Sequence, residues 1–457
     1  MLIIALLIAI VWTIIAWRNW PLAVSLLIGL LPTYLLRFKI GPLPMTVLEE
    51  LILLTTAIWL IKQYPQPWAN LRSRAKNWRA YPLTIEIIIV LLVAWLALVI
   101  GGNTTSGLGL WKAYFIEPIL VFILFWNVPR GTKNIERGYL FLAGSLLLVS
   151  LVAGYQYLTG DLIANPFWAD EATRRATSVF GYPNAVGLFA GPVSLALLGF
   201  LVYRLKQIKK WFNWVNLLLA ASIILGWLAI FWAQSEGAMI GLLVALVVLG
   251  LIASRWSRLV VLVAVIIVGV MIWQRSDYLD TIKQKVQLAD LSGQIRQSQW
   301  QETWQMLGDG RWLTGAGLAN YQAMVEPYHH EGIWIKSADK KAKPSWQPLE
   351  IYLYPHNVFL NFWSELGLAG LIIFTWLWLK VTIINFLNFW RYRRHNKLAW
   401  LSWGLFGAWL VTLVHGLVDV PYFKNDLAVL FWLGLAMTFW LKWQLMDNKQ
   451  NDQSTIN

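Results

Sequence analysis

The chain has 457 residues, 58% hydrophobic and 13% charged, with a formal net charge of +14 and no cysteine. A soluble chain carries roughly twice that share of charge, so the soluble, disordered and disulfide-framework classes are excluded. Without cysteine there is no thiolate catalysis, Cys-ligated zinc or iron–sulfur cluster. What remains is a polytopic membrane protein, and its 31 tryptophans and 16 tyrosines suit the membrane–water interface, where amphipathic rings settle. The excess positive charge lies in short loops between apolar runs and forms no basic face around a nucleic-acid motif, so no nucleic-acid partner is expected.

About 20 apolar residues cross the hydrocarbon core. Runs approaching that length are predicted near 2–17, 21–36, 46–61, 83–101, 113–128, 138–158, 183–203, 213–233, 238–254, 259–273, 357–379, 399–417 and 426–441. The first two are short, with only Arg18-Asn19-Trp20-Pro21 between them. They are two thin helices or one broken hairpin, so the count is twelve or thirteen spans in an all-α, polytopic bundle.

Lys and Arg in short loops set the direction of such a bundle. One set of loops holds Lys62, Arg72, Arg74, Lys76, Arg79, Arg130, Lys133, Arg137, Arg204, Lys206, Lys209, Lys210, Arg255, Arg258, Lys380, Arg391, Arg393, Arg394, Lys397, Lys442 and Lys449. The alternate short loops hold only Arg37, Lys39, Lys112, Arg174, Arg175 and Lys424. The first set is predicted to face the cytoplasm, which leaves residues 274–355 outside; a loop of that length is exempt from the rule. The first apolar run lacks a basic n-region and a small-residue cleavage site, so no cleavable signal is expected. The predicted organisation is N-terminal transmembrane helices over 1–273 (about ten spans), an extracytoplasmic loop module over 274–355, C-terminal transmembrane helices over 356–445, and a disordered polar tail over 446–457. No internal repeat or inverted pair of halves of the transporter kind is visible.

Within the long outer segment, Ile295, Trp300, Thr303, Trp304 and Leu307 recur at helical spacing and predict a short amphipathic helix. Gly308-Asp309-Gly310 ends it, and Gly315-Ala316-Gly317 makes a tight bend before Tyr321. Trp300, Trp304, Trp312, Trp334 and Trp346 offer flat faces for sugar rings, or else lie in the bilayer interface.

Ionisable residues in or beside apolar spans are functional candidates. Here they are Glu49, Glu50, Glu86, Glu117, Glu236, Glu365, His356, His415 and Asp419. For Glu49, Glu50, Glu86 and Glu117 the simpler reading is a carboxylate offsetting a helix dipole. His356 stands between Pro355 and Asn357 at the outer end of a long span. A helix N-terminus favours neutral imidazole there, able to take a proton from a sugar hydroxyl; the competing reading is a capping histidine. Arg174 and Arg175, outside and just before another span, suit phosphate through their forked donors, or else pair with Asp170 and Glu171.

Three stretches together resemble the O-antigen ligase/polymerase family of membrane glycosyltransferases. The first is Arg175-Ala-Thr-Ser-Val-Phe-Gly-Tyr-Pro-Asn184, similar to the family's Arg…Phe-Gly-x-Pro-Asn at the start of a helix. The second joins Trp300-x3-Trp304 to Leu313-Thr-Gly-Ala-Gly-Leu318, similar to its amphipathic stretch and Gly-x-Gly loop. The third, Pro355-His-Asn-Val-Phe-Leu-Asn-Phe-Trp-Ser-Glu365-Leu-Gly-Leu-Ala-Gly370, resembles its His-Asn-x3-Leu…Glu-x-Gly-x2-Gly signature. The resemblance covers about 170–380 by motif and the whole chain by helix layout. In one place the chain departs: Ser235-Glu236-Gly237 stands where the family usually has Ser-Arg-Gly, with an Arg thought to help hold the donor's phosphate.

The resemblance implies metal-independent transfer, without a cofactor, of an undecaprenyl-diphosphate-linked glycan to an acceptor hydroxyl. The reaction would take place on the outer face of a bacterial cytoplasmic membrane, by a ligase or a polymerase. The acceptor would be a glycan, a lipid or a protein. His356 would be the base, with Glu236 as a second catalytic candidate, and Arg175 the diphosphate anchor. Arg174, Arg296, Arg311, Asn184, Asn357 and Glu365 would contact diphosphate or glycan, one of the arginines replacing the one absent at Glu236. A transporter or flippase of lipid-linked saccharides is the alternative; it would carry its charges deep in the bundle, whereas these cluster at one surface. A purely structural scaffold leaves the isolated His-Asn at a helix start unexplained.

Overall fold

Backbone N–H and C=O groups in lipid have no water to bond, which leaves helices as the spanning solution for apolar runs of this kind. The computed structural model describes residues 2–41, 43–63, 81–129, 131–207, 212–273, 283–285, 287–335 and 345–454, and over these it is helical apart from two short hairpins. The helices are α1 (Leu2–Arg18), α2 (Trp20–Gly29), α3 (Val47–Gln63), α4 (Thr84–Ile100), α5 (Thr105–Asn127), α6 (Thr132–Thr159), α7 (Pro183–Gln207), α8 (Trp214–Trp232), α9 (Glu236–Ala253), α10 (Arg255–Trp273), α11 (Leu291–Met306), α12 (Val358–Tyr392), α13 (Ala399–Gly416) and α14 (Asn425–Ser454). Seven of these are long and apolar enough to cross a membrane: α5 to α9, α12, and α14 as far as Asp447. The other six predicted spans fall on the shorter helices α1 to α4 and on α10 and α13. The first pair is two helices, because Asn19 leaves the helical region and caps α2 through the Leu22 N–H, at 3.1 Å.

Small residues let the central helices approach closely. A Cβ placed on Gly199 of α7 would fall 2.6 Å from the Gly404 Cα of α13. Around this contact the core is unbroken and rich in buried rings, including Phe200, Phe374, Trp378, Phe389 and Trp432.

Contacts between helix ends gather the basic residues in one place. Arg204, Lys206, Arg255, Arg258, Arg393 and Lys397 sit at one end, where α7 meets α13 and α9 meets α12. The described residues between α10 and α12 meet the starts of α9 and α12, through Lys285 with Glu236 and Trp300 with Pro355. Arg72, Arg74, Lys76, Arg79, Arg130, Lys209 and Lys210, like residues 274–282, lie outside the described residues.

Two hairpins were not expected from the sequence. β1 (Arg37–Ile40) pairs with β2 (Leu43–Thr46), and β3 (Gly332–Ile335) with β4 (Ser345–Pro348), both antiparallel. At four residues each they are too short for an alternating pattern to be read. In the second, Trp334 stands opposite Trp346 with ring centroids 5.3 Å apart, a cross-strand pair that holds the register. At the C-terminus α14 continues to Ser454, so helix runs through most of the stretch expected as a polar tail; 455–457 lie outside the described residues.

Candidate active site

The chain reaches His356 along an irregular strand pinned by α11. The Trp300 indole N–H donates to the Pro355 carbonyl at 2.8 Å, and the His356 Nδ1 lies 3.0 Å from Gln299 Oε1. With the amide oxygen placed as the acceptor, the proton is assigned to Nδ1, and Nε2, which has no hydrogen-bond partner among the described residues, is the acceptor. The Tyr352 and Tyr354 rings flank the imidazole at 5.4 and 4.8 Å. His356 itself has φ 45°, a left-handed conformation uncommon for a side-chain-bearing residue and one that clusters at functional sites. Asn357 is committed to structure. Its Oδ1 accepts the Phe359 and Leu360 N–H groups at the start of α12, and its Nδ2 donates to the Leu417 carbonyl.

Burial holds the His356 pKa below the ordinary histidine value; the Asp419 carboxylate opposes this and Arg296 adds to it. Asp419 is only 1% exposed. One of its oxygens accepts from Asn184 Nδ2 at 2.8 Å and the other from the Val420 N–H. Asn184 in turn accepts from the Arg175 guanidinium at 3.3 Å, which also donates to the Ala233 and Gln234 carbonyls at 3.0 and 3.1 Å. Among the described residues the Arg175 guanidinium therefore makes three hydrogen bonds, none of them to a carboxylate. Burial lowers its pKa, while Glu236 raises it and Arg296 lowers it further. Arg296 makes no hydrogen bond or ion pair among the described residues, so two guanidinium groups within electrostatic reach of each other are left short of anion. Asp419 and Arg296 also act electrostatically on His415, buried near the end of α13. His415 explains the glycine after Glu236: a Cβ on Gly237 would lie 2.6 Å from its ring.

Arg175, Asn184, Arg296 and His356 are thus brought together around Asp419. The remaining sequence candidates make their hydrogen bonds elsewhere, although Glu236 acts electrostatically on Arg175. Glu236 opens α9 with its side chain about half exposed and paired to Lys285, and no hydrogen bond joins it to His356 among the described residues. Arg174 braces its own loop through the Ala169 and Tyr157 carbonyls. Arg311 lies in the turn after α11, where it acts on Tyr328 and its carbonyl accepts the Gly315 N–H.

Glu365 belongs to a backbone joint. It is buried, and its carboxylate accepts the Ala319 N–H at 2.8 Å. Two residues on, α12 breaks at Gly367 (φ 73°, ψ −177°), which frees backbone groups for residues 313–318. The Ala316 N–H donates to the Ser364 carbonyl at 2.6 Å and the Leu368 N–H to the Leu313 carbonyl at 3.1 Å. A Cβ on Gly315 would fall 2.5 Å from the Ser364 oxygen, and one on Gly367 2.3 Å from the Leu313 oxygen. The Gly-x-Gly and Glu-x-Gly motifs are therefore the two halves of one joint.

The amphipathic reading of α11 needs a correction. Thr303 and Leu307 are buried as expected, but most of the buried face is polar, with Ser298, Gln299 and Glu302 and only Met306 and Leu307 apolar, while Trp304 is 45% exposed beside Trp312 and Trp363. Glu302 receives the backbone N–H of His330 at 3.0 Å and lies near both the His329 and His330 rings. The helix covers a polar site, so its inner face is polar too. Gln299, which reasoning from sequence missed, carries no signal of its own; Asp419 and His415 stand out in the sequence only as ionisable residues beside a span.

On the other side of Tyr354 lies a cavity of about 660 Å³, lined by Arg37, Glu49, Lys112, Tyr114, Tyr321, Asn361, Glu365 and Asn425 among others. Its acids and bases balance. The Asn361 Oδ1 is buried there without a hydrogen-bond partner. Among the described residues no three His, Asp or Glu side chains are grouped so as to hold a metal ion.

No curated protein matches the chain. A family match covers α9, the segment with α11, His356 and both halves of the Gly315–Gly367 joint, but not Arg175, Asn184 or Asp419, which are joined to it by geometry. Residues 220–375 match the model of the family described as O-Antigen ligase, so this multi-pass membrane protein carries an O-antigen ligase family domain.

Proposed function

We propose that the protein is a glycosyltransferase that moves a glycan from an undecaprenyl-diphosphate donor to an acceptor hydroxyl, without a metal, at the outer face of the bacterial inner membrane. In this reading His356 Nε2 accepts the proton of the acceptor hydroxyl while that oxygen attacks the anomeric carbon. The bond from that carbon to the diphosphate oxygen breaks, and the leaving diphosphate takes the electron pair. Arg175 and Arg296 hold its charge, which is electrostatic stabilisation of the kind that dominates many active sites. Asn184 and Asp419 orient Arg175. Glu236 has no step in this scheme; it pairs with Lys285 at the exposed rim. The acceptor, a glycan or a molecule carrying one, approaches through the charge-balanced cavity beside Tyr354, whose hydroxyls and amides suit neutral sugar better than diphosphate.

One observation carries the reading: a histidine held neutral, its Nε2 free, lies in the same polar site as two guanidinium groups that lack carboxylate partners. A flippase needs no such base. The test is transfer from a defined lipid-linked donor by purified protein in nanodiscs, together with the lipid-linked pool of a deletion strain. Transfer in vitro and accumulation of lipid-linked oligosaccharide, or loss of polymer length, are expected. Movement of donor across the bilayer without transfer would establish the flippase instead.

A further inference from the structure

At the opposite end of the bundle four arginines converge on one pocket. Arg255 and Arg258 follow Ser254, the single residue that links α9 to α10, and Arg393 and Arg394 follow the end of α12. With Ala253, Ser254 and Trp400 they line a cavity of about 340 Å³. None of the four is paired with a carboxylate among the described residues. Arg258 donates to the Leu251 carbonyl at 3.1 Å and Arg393 to that of Ile252. Arg393 also lies 4.1 Å from the Trp390 ring, and Arg255 5.4 Å from that of Trp256. Burial draws the Arg393 pKa down, and the like charges of Arg394 and Arg258 lower it further.

The pocket does not stand alone. It shares Ala253, Ser254 and Trp400 with a groove of about 660 Å³ between α7, α9 and α13, lined by Val202, Leu246, Leu249, Gly250 and Trp403, with Lys206 at its edge. Orientation by positive charge requires basic residues at this end. It does not require four of them to face one cavity that continues as an apolar groove between membrane helices.

We propose that the pocket and groove form a binding site for an anionic phospholipid of the inner leaflet. The phosphate would sit among the guanidinium forks, which match its geometry, and an acyl chain would run along the groove. Basic pockets between helices on the cytoplasmic side are suited to such head groups. Four cations fit two phosphates better than one, so diphosphatidylglycerol should bind ahead of phosphatidylglycerol. A free phosphate or a nucleotide would leave the apolar groove unfilled. This site is independent of the chemistry at His356.

Native mass spectrometry of the full chain tests it, with the protein stripped of lipid and offered phosphatidylethanolamine, phosphatidylglycerol and diphosphatidylglycerol. One anionic lipid should be retained in preference to the zwitterionic one. The double variant R258Q/R394Q, at two exposed side chains, should weaken retention by about tenfold or more. Leu246→Trp should fill the groove and weaken lipid binding without touching a charge. If a double variant fails to fold, judged by gel-filtration elution and thermal midpoint, Arg394→Gln alone should show the same loss at smaller size. Equal retention of phosphatidylethanolamine, unchanged binding in the arginine variants, or displacement of the lipid by inorganic phosphate would overturn the proposal.

Discussion

The proposed base, His356, can accept a proton only while it is neutral, and burial keeps it neutral to lower pH than an ordinary histidine, whose value is about 6.5. Transfer should therefore fall only as pH drops through a value below that. Gln299→Glu places a carboxylate on the Nδ1–H, stabilises imidazolium, and should move this acid limb upward; a pH–rate profile of kcat/KM reads the shift, and an unmoved limb would remove the base. His356→Asn tolerates the positive φ of the site yet cannot accept the proton. It should lose about 10²–10⁴ in rate with insertion and donor binding kept; a variant as fast as the parent chain would make His356 a packing residue. At Arg175, replacement by Lys substitutes a point charge for a fork. The KM for donor should rise by about tenfold, as expected for loss of a charged hydrogen bond, with kcat less affected.

Between elements the decisive contact is the joint of residues 313–319 with the broken turn of α12. Glu365→Gln keeps an acceptor for the Ala319 N–H and should leave both stability and turnover near those of the parent. Glu365→Leu strands that N–H and should cost about 1–3 kcal/mol, seen as a lower thermal midpoint and faster proteolysis after Leu313. If Gln removes activity while stability holds, Glu365 has a chemical part after all. Gly367→Ala should be worse, since strain at such a φ costs about 1–3 kcal/mol before the clash with the Leu313 oxygen is counted. The Glu236 pair with Lys285 is of another kind. Both side chains are substantially exposed, and such pairs contribute about 0.2–1 kcal/mol. Glu236→Gln should barely change stability or turnover; a tenfold fall in turnover with the fold intact would make Glu236 catalytic.

For the molecule as a whole, twenty-one basic residues against six in alternate loops predict that the end bearing His356 faces outward. The absence of cysteine makes single-cysteine labelling clean. In intact cells a membrane-impermeant thiol reagent should label Ala338→Cys and spare Lys397→Cys. The reverse pattern would put the site on the cytoplasmic side and with it end the proposed reaction, since its substrates would be on the wrong face. Gly404→Leu should separate α7 from α13, since a Cβ on Gly199 already falls 2.6 Å from the Gly404 Cα, and should lower the thermal midpoint.

Much of this was readable along the chain. Hydrophobic run length marks each helix because lipid leaves no other way to satisfy the backbone, and all thirteen predicted runs are helical. Placing His356 just ahead of a helix start needed only its neighbours, as did the bends at Gly315 and Gly317. The sequence also drew the basic asymmetry. It did not show that Glu365 and Asn357 serve the backbone, that Arg174 and Arg311 stay in their loops, or that Gln299 fixes the imidazole tautomer. Those outcomes depend on which helices touch, and that follows from close packing of small residues rather than from periodicity. Asn184 and Asp419 are 235 positions apart and meet at 2.8 Å. A local pattern reports what a segment is, whereas a hydrogen bond across such a separation exists only once α7 and α13 have packed.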